Sequence, residues 1–190
     1  MRVMTRKLFI LVVVASMLSS LTVGLIGPIY PIFITENISA SILDVGMIYA
    51  IFYAVGAFVK LPAGKLSDKY GKGKSLFIGG ILGAGCTFGY TMASTLEHLI
   101  IIEILNGSAY ALARPAMLSL LAEITNPTKR GFQMGFFDSI YDFSIAGAAF
   151  LTGMIVSAYG FGVLFYLCSI LQISSGALAY KSVHGIDIKR

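Results

Sequence analysis

The chain has 190 residues, of which 57% are hydrophobic and only 12% carry a formal charge. Soluble domains are about half apolar and about a quarter charged, so lipid rather than water must surround most of this chain. Its formal net charge of +5 does not indicate nucleic-acid binding, because the basic residues are spread over short loops. The two cysteines, Cys86 and Cys168, lie inside apolar runs and predict no disulfide, metal site or other cofactor.

Successive apolar stretches with short connections predict an all-α integral membrane protein that forms a single bundle over residues 1–190. Each stretch is close to the roughly 20 residues that a membrane-spanning helix requires. The six predicted helices cover about residues 8–34, 42–63, 75–95, 98–121, 133–158 and 161–180. The first follows a basic tail, as a signal peptide would, but it is much longer than a cleavable apolar segment, and we interpret it as a retained helix.

Lysine and arginine are confined almost entirely to one side of these predicted helices. They lie in the N-terminal tail, in residues 60–74, at residues 129–130 and in residues 181–190. The connections on the other side contain no lysine or arginine, and their charged residues are acids, such as Glu36, Asp44 and Glu97. Because basic residues are enriched on the cytoplasmic side of a membrane, we expect a multi-pass protein of the plasma or inner membrane with both termini in the cytoplasm.

A charged segment, residues 64–74, separates the second and third apolar stretches and is predicted to be a cytoplasmic loop. It resembles the signature of the major facilitator superfamily (MFS), which has a glycine, three residues, an aspartate, a basic residue, any residue, a glycine and further basic residues. The matching positions are Gly64, Asp68, Lys69, Gly71, Lys72 and Lys74, with Gly73 inserted before the last. Members of the family usually contain two six-helix bundles, and this chain resembles the first, which implies two inverted three-helix repeats.

The resemblance implies secondary active transport of a small solute by alternating access, with protons as a candidate coupling ion. It also implies a second six-helix bundle as partner, from a homodimer or a companion chain, and a conformational switch in which Asp68 helps to lock the cytoplasmic faces of the two bundles. The fourth helix has Glu103, Asn106 and Gly107 where relatives often have arginine, glutamine and glycine. The fifth has Ala148 and Ala149 where drug antiporters tend to have a Gly-Pro pair.

Ionisable residues inside spanning helices are costly and usually face a partner or a cavity. Glu103, Gly107, Tyr110 and Arg114 recur at intervals of four, three and four, so they share one face of the fourth predicted helix. Asp138 and Asp142 share a face of the fifth. A rise of about 1.5 Å per residue places Arg114 at the depth of Asp142, so we expect a charge network of Arg114 with both aspartates, with either a structural or a transport role.

Glu103, together with Tyr110 and Asn106, is the candidate proton or substrate site. Burial disfavours the charged form of a carboxyl group, which makes Glu103 a candidate proton carrier; the alternative is a neutral acid that is hydrogen-bonded to a neighbouring helix. The sequence contains no phosphate-binding loop and no nucleophile with a matched base, so a transporter is favoured over an intramembrane enzyme. A half-bundle that does not transport but serves as an assembly partner is the other alternative.

Overall fold

A computed structural model describes the backbone of residues 3–187 and the side chains of residues 7–183, and this part of the chain consists of helices and short links, without a strand. The helices are α1 (Val3–Ile26), α2 (Tyr30–Asn37), α3 (Ile42–Tyr70), α4 (Lys72–Gly89), α5 (Leu96–Ile124) and α6 (Arg130–Asp187), with 3-10 turns at Tyr90–Met92 and Pro127–Lys129. Arg2, Lys189 and Arg190, on which the predicted orientation partly rests, lie outside the described residues.

Five of the described helices are long and apolar enough to cross a membrane, namely all except α2. The last of them is interrupted at Gly160, whose φ of 78° and ψ of 173° are not helical. We refer to residues 130–159 as α6a and to residues 161–187 as α6b. The prediction of an all-helical membrane bundle is thus confirmed.

The chain reverses direction at Gly160, as the contacts with α1 show. Ser175 of α6b donates a hydrogen bond to the Ala15 carbonyl at 2.7 Å, and the Thr22 hydroxyl lies 3.5 Å from the Cys168 carbonyl. Residue numbers therefore fall along α6b as they rise along α1, so the two helices are antiparallel. α6a instead runs with α1: Phe137 packs in the apolar cluster that contains the start of α1, and Thr152 bonds to the end of α1.

The apolar core is divided into two clusters at opposite ends of the bundle. One cluster lies towards Gly71 and includes Val12, Leu76, Leu120 and Phe137. The other lies towards Gly160 and includes Leu25, Phe33, Ile48, Leu99 and Phe165. We call these the Gly71 end and the Gly160 end of the bundle. Between the ends, α1 packs on α6, α4 on both α5 and α6, and α3 on α5, while α1 and α5 hardly touch.

The first predicted helix, about residues 8–34, is wrong as a single helix, because α1 stops at Ile26 and the chain turns before α2. Pro28 causes the break: it has no N–H to donate to Gly24, and its ring clashes with that carbonyl. The Thr152 hydroxyl of α6a lies near the carbonyl groups released by the break, 3.0 Å from the Leu25 oxygen and 3.4 Å from the Gly24 oxygen, and it can donate its one hydrogen to either of them or to the Ala148 carbonyl of its own helix.

The prediction of a loop at residues 64–74 is also wrong, because α3 continues through the charged residues as far as Tyr70 and α4 begins at Lys72. Lysine is a good helix former, and the Gly71 N–H still donates to the Ser67 carbonyl at 2.9 Å. Only Gly71 leaves the helix, with a φ of 97° that side-chain-bearing residues rarely adopt. The junction between α3 and α4 is therefore a one-residue corner between two helices.

Candidate functional site

A cavity of about 510 Å³ lies in the middle of the bundle, between the two apolar clusters. Its walls come from α1, α3, α4, α5 and both segments of α6. The few contacts between α1 and α5 leave room for it. Because α3 and α6 hardly pack on each other, we infer that the cavity opens between α3 and α6a, and its lining includes the exposed residues Tyr53 and Arg114.

Glu103 is buried in the wall of this cavity, with only 3% of its surface exposed, and its carboxylate is held by three side chains. The hydroxyls of Tyr30 and Tyr90 both donate to Glu103 Oε1. Asn106 Nδ2 lies 3.4 Å from Glu103 Oε2 and donates to the Tyr90 oxygen at 3.0 Å. We call these four residues the Glu103 cluster. No basic side chain pairs with Glu103 in the described part of the chain, so its oxygens are satisfied by neutral donors.

The positions of Tyr30 and Tyr90 follow from local structure at the Gly160 end. Tyr30 is the first residue of α2, directly after the break at Pro28, so the break turns its ring towards α5. Tyr90 begins the 3-10 turn that ends α4. Their rings are 5.1 Å apart, and Tyr49 of α3 packs edge-on against Tyr30 at 6.0 Å. The sequence reasoning found Glu103 and Asn106 but missed both tyrosines, and Tyr110, which was grouped with them, lies elsewhere.

Tyr110 lies in the cavity wall nearer the Gly71 end and packs against α3. Its ring is 5.5 Å from that of Phe52, and Lys60 Nζ lies 4.6 Å from the centre of the Tyr110 ring. A cation over an aromatic face is stabilised by the ring quadrupole. Lys60 therefore places a positive charge over the ring of a residue that lines the cavity.

Arg114, Asp138 and Asp142 are all exposed, and Arg114 lines the cavity. The expected contact is not formed here: Lys72–Glu123 is the sole ion pair within the side chains of residues 7–183. The three charges do share a neighbourhood, because each lies within electrostatic reach of the Tyr141 ring hydroxyl on α6a. The rise per residue along each helix thus predicted correctly that the three residues lie near one another, but their side chains do not form the predicted ion pairs.

The signature residues occupy the corner at the Gly71 end. Lys72 forms an ion pair with Glu123 at the end of α5, and Lys69 Nζ lies 5.2 Å from the centre of the Tyr70 ring. Asp68 is exposed and makes no hydrogen bond or ion pair within the described residues. The adjacent Ser67 is buried, and its hydroxyl has no hydrogen-bond partner there. The corner therefore leaves one acidic side chain free.

Two signature positions remain, one on each side of the corner. Gly64 lies on α3, where a Cβ would meet nothing within 4 Å, and Lys74 lies on α4 and is exposed.

No group of three or more His, Cys, Asp or Glu residues that could hold a metal ion occurs in the described part of the chain.

The comparisons with known proteins all point to one family of membrane transporters. The family model of the Major Facilitator Superfamily matches residues 12–184. An MFS-type transporter of Methanocaldococcus jannaschii is 30% identical over 166 residues, which are 87% of this chain and 43% of that protein. The tetracenomycin C resistance and export protein of Streptomyces glaucescens is 25% identical over 135 residues, 70% of this chain and 25% of that protein.

The lengths of the relatives differ. This chain spans less than half of the two relatives above, whereas it matches 96% of the MFS-type transporter YitZ of Bacillus subtilis, at 26% identity over 162 residues that are 84% of this chain. Proteins of about this length thus occur among its relatives. The family match over nearly the whole chain, together with the apolar helices, shows that this multi-pass membrane protein belongs to the Major Facilitator Superfamily of transporters.

Proposed function

We propose that this chain is one six-helix bundle of a secondary transporter and moves a small solute by alternating access together with a second bundle. The observation that carries the proposal is the cavity inside the bundle, together with the lack of packing between α3 and α6, which leaves the flank between α3 and α6a uncovered. A cavity that is open on one flank becomes a closed path only when another bundle covers that flank. The second bundle is either another copy of this chain or a companion chain.

The flank formed by α3 and α6a has the surface that close helix packing needs. Phe58, Leu61, Phe143 and Phe150 are each about four-fifths exposed. Open glycines, at which a Cβ would meet nothing within 4 Å, are concentrated on these two helices at Gly46, Gly64, Gly131, Gly135, Gly147 and Gly153. Small residues let helix backbones approach closely in a membrane, where apolar area alone drives little association.

The corner at Gly71 is proposed to face the cytoplasm and to act as the switch between the two bundles. Basic residues are clustered there, as expected for a cytoplasmic end. Asp68 is exposed without an intramolecular partner, so its carboxylate is available to a helix N-terminus of the second bundle, a contact worth about 0.3–1 kcal/mol. Lys72, in contrast, is already held by Glu123 within this bundle.

Glu103 is proposed as the proton-binding residue of the transport cycle. It is buried in the cavity wall and has no cationic partner among the described residues, so losing its charge would break no ion pair. Asn106 is partly exposed and lines the cavity, so it connects the carboxyl group of Glu103 with the cavity. An amide can present either its N–H or its oxygen, so Asn106 can bond to Glu103 in either protonation state.

Site-directed crosslinking tests the paired bundle. Gly147 on α6a is exchanged for cysteine in a chain in which the buried Cys86 and Cys168 are replaced by alanine, and a benzophenone maleimide is attached in native membranes. We expect an adduct with a second copy or a companion chain after illumination. Gly85→Cys on α4, which is equally open, is the matched control and should give little adduct. Equal labelling at both positions, in vesicles that take up solute, would show that the bundle works alone.

An uptake screen in vesicles, with and without an imposed pH gradient, tests the transport cycle. The chain and its Glu103→Gln variant are compared at equal abundance in the membrane. We expect gradient-driven uptake to be lost in Glu103→Gln while exchange of solute across the membrane without a gradient persists. Gradient-driven uptake that is unchanged in the variant would exclude Glu103 as the proton carrier.

A further inference from the structure

The contact between α4 and α6b lies on the side of the bundle opposite to the open flank. Around the bundle, α3 packs on α5, α5 on α4, α4 on α6b, α6b on α1 and α1 on α6a. The open flank lies between α6a and α3, across this ring from the contact of α4 with α6b. A second bundle that covers the flank therefore leaves the outer surface of α4 and α6b against lipid.

Two lysines lie at the same level on these two helices. α4 begins at the Gly71 end and α6b returns to that end. A Cβ on Gly73 of α4 would lie 3.0 Å from the Val183 Cβ atom and 3.6 Å from the Tyr180 carbonyl oxygen of α6b. Lys74 directly follows Gly73, and Lys181 lies between Tyr180 and Val183 in the chain. Both lysines are therefore at the Gly71 end of the contact.

Both lysines belong to the lipid-facing surface of their helices. Ile78 and Ile81 follow Lys74 at intervals of four and three and share its face of α4, and both are about half exposed. Ile170 precedes Lys181 by eleven positions, which is three helical turns, and is 62% exposed. The outer surface thus carries apolar side chains along its length and a lysine on each helix at the Gly71 end.

No acidic side chain is available to these lysines on their own helices. Residues 72–89 and 161–183 contain no aspartate or glutamate. Lys74 and Lys181 are both exposed, and neither forms an ion pair among the side chains of residues 7–183. Lys72 is different, because Glu123 of α5 holds it. A negative partner for Lys74 and Lys181 therefore has to come from outside these two helices.

Aromatic rings connect α4 and α6b next to the lysines. The rings of Phe77 and Tyr180 lie 5.3 Å apart across the contact. Further from the Gly71 end, the exposed rings of Phe88 and Tyr166 lie 5.7 Å apart. From the Gly71 end, the outer surface therefore presents positive charge, then an aromatic pair, then apolar side chains. A phospholipid has its charged, interfacial and hydrocarbon parts in the same order.

We infer that the outer surface of α4 and α6b binds an anionic phospholipid, with its phosphate between the ammonium groups of Lys74 and Lys181 and an acyl chain along Ile78. Basic residues between spanning helices at the end of a bundle are a known way to hold anionic headgroups. Each lysine near the headgroups favours an anionic lipid about fivefold, so two favour it about 25-fold. The site needs neither a second bundle nor a transport cycle, so it goes beyond the proposed function and is tested separately from it.

A single tryptophan reports which lipid lies at this surface, because the chain contains none of its own. The full chain with Ile78→Trp is reconstituted in phosphatidylcholine vesicles that contain increasing fractions of a brominated lipid, which quenches tryptophan on contact. We expect brominated phosphatidylglycerol to bind at the reporter about 25-fold more strongly than brominated phosphatidylcholine. Equal quenching by the two brominated lipids would overturn the inference.

Two pairs of substitutions with the same change in charge separate a site from general attraction to a basic surface. Lys74→Gln with Lys181→Gln should reduce the preference for phosphatidylglycerol to a few-fold. Lys65→Gln with Lys129→Gln removes two exposed lysines of the Gly71 end that lie on neither α4 nor α6b, and should leave the preference nearly unchanged. An equal loss in both pairs would mean that the whole basic end attracts the lipid, and would overturn the site.

Helical circular dichroism shows whether each variant folds. If the variant without Lys74 and Lys181 does not fold, the single substitutions Lys74→Gln and Lys181→Gln decide, and each should lower the preference about fivefold. A preference that neither single substitution lowers would overturn the assignment. Failure of the crosslinking or uptake experiments would not alter these results, because the reporter measures lipid contact alone.

Discussion

Tyr90 is the centre of the Glu103 cluster, and its replacement by phenylalanine gives a direct test of that cluster. The Tyr90 hydroxyl donates to Glu103 and accepts from Asn106 at 3.0 Å. Tyr90→Phe therefore removes two hydrogen bonds and leaves the Asn106 amide with only the longer contact of 3.4 Å to Glu103. Tyr30 makes a single hydrogen bond to the same carboxylate, so Tyr30→Phe removes one.

The magnitude follows from the number of bonds. Side-chain hydrogen bonds between membrane helices contribute on average about 0.6 kcal/mol and at most about 1.7 kcal/mol. We expect Tyr90→Phe to lower the free energy of unfolding by about 1–2 kcal/mol, because two bonds are lost and Tyr90 is only 3% exposed. Tyr30→Phe should lower it by about half as much. The order of the two effects is the sharper part of the prediction.

The assay is reversible unfolding in mixed detergent and SDS micelles, followed by the helical circular dichroism signal. Tyr166→Phe is the matched control, because Tyr166 is 49% exposed, its ring packs on that of Phe88, and its hydroxyl makes no hydrogen bond in the described structure. This variant should unfold like the original chain. If Tyr30→Phe costs as much as Tyr90→Phe, or if neither differs from Tyr166→Phe, then Tyr90 does not link Glu103 to Asn106.

Three further predictions concern the packing of the bundle and its corner. Gly24→Ala would place a Cβ 2.8 Å from a side chain of α6a and should cost about 1–3 kcal/mol in the same unfolding assay, whereas Gly147→Ala, which meets nothing within 4 Å, should be neutral. Thr152→Val removes the hydroxyl that can donate to a carbonyl at the end of α1 and should cost about 1 kcal/mol, with thermal unfolding as an independent measure. Lys72→Gln should cost at most about 1 kcal/mol, and less at high salt, because its partner Glu123 is 66% exposed; a salt-independent loss would mean that the pair is not ionic.

Some features of the fold could be read from the chain because they depend on local chemistry. Apolar length predicts the spanning helices, and Ser41 followed by Asp44 at the start of α3 forms a capping box, with the Ser41 N–H 2.8 Å from the Asp44 carboxylate. Pro28 was also a readable signal, since proline breaks a helix interior. The uninterrupted apolar run around it led to the prediction of one long helix, because hydropathy does not register a bend.

The partners of the polar residues could not be predicted in the same way. Tyr30 and Glu103 are 73 positions apart in the chain, and their contact depends on the turn after Pro28 and on the packing of α2. Helical periodicity gave the face and depth of Arg114 correctly enough to place it in the cavity wall. It could not say whether a long side chain reaches across to Asp142 or stays in open space, because that depends on distances between helices.

The two ends of the bundle differ in whether their charged side chains find partners within the bundle. At the Gly160 end the buried acid has all its hydrogen-bond donors within this bundle, so a second bundle is not needed to stabilise it. Towards the Gly71 end and the open flank, Asp68, Arg114 and Asp142 are exposed and unpaired within the described residues. Arg114 and Asp142 lie on spanning helices, where charged groups require partners, and Asp68 at the corner is the carboxylate proposed to contact a second bundle, so docking of another bundle should alter the surroundings of these residues most and those of Glu103 least.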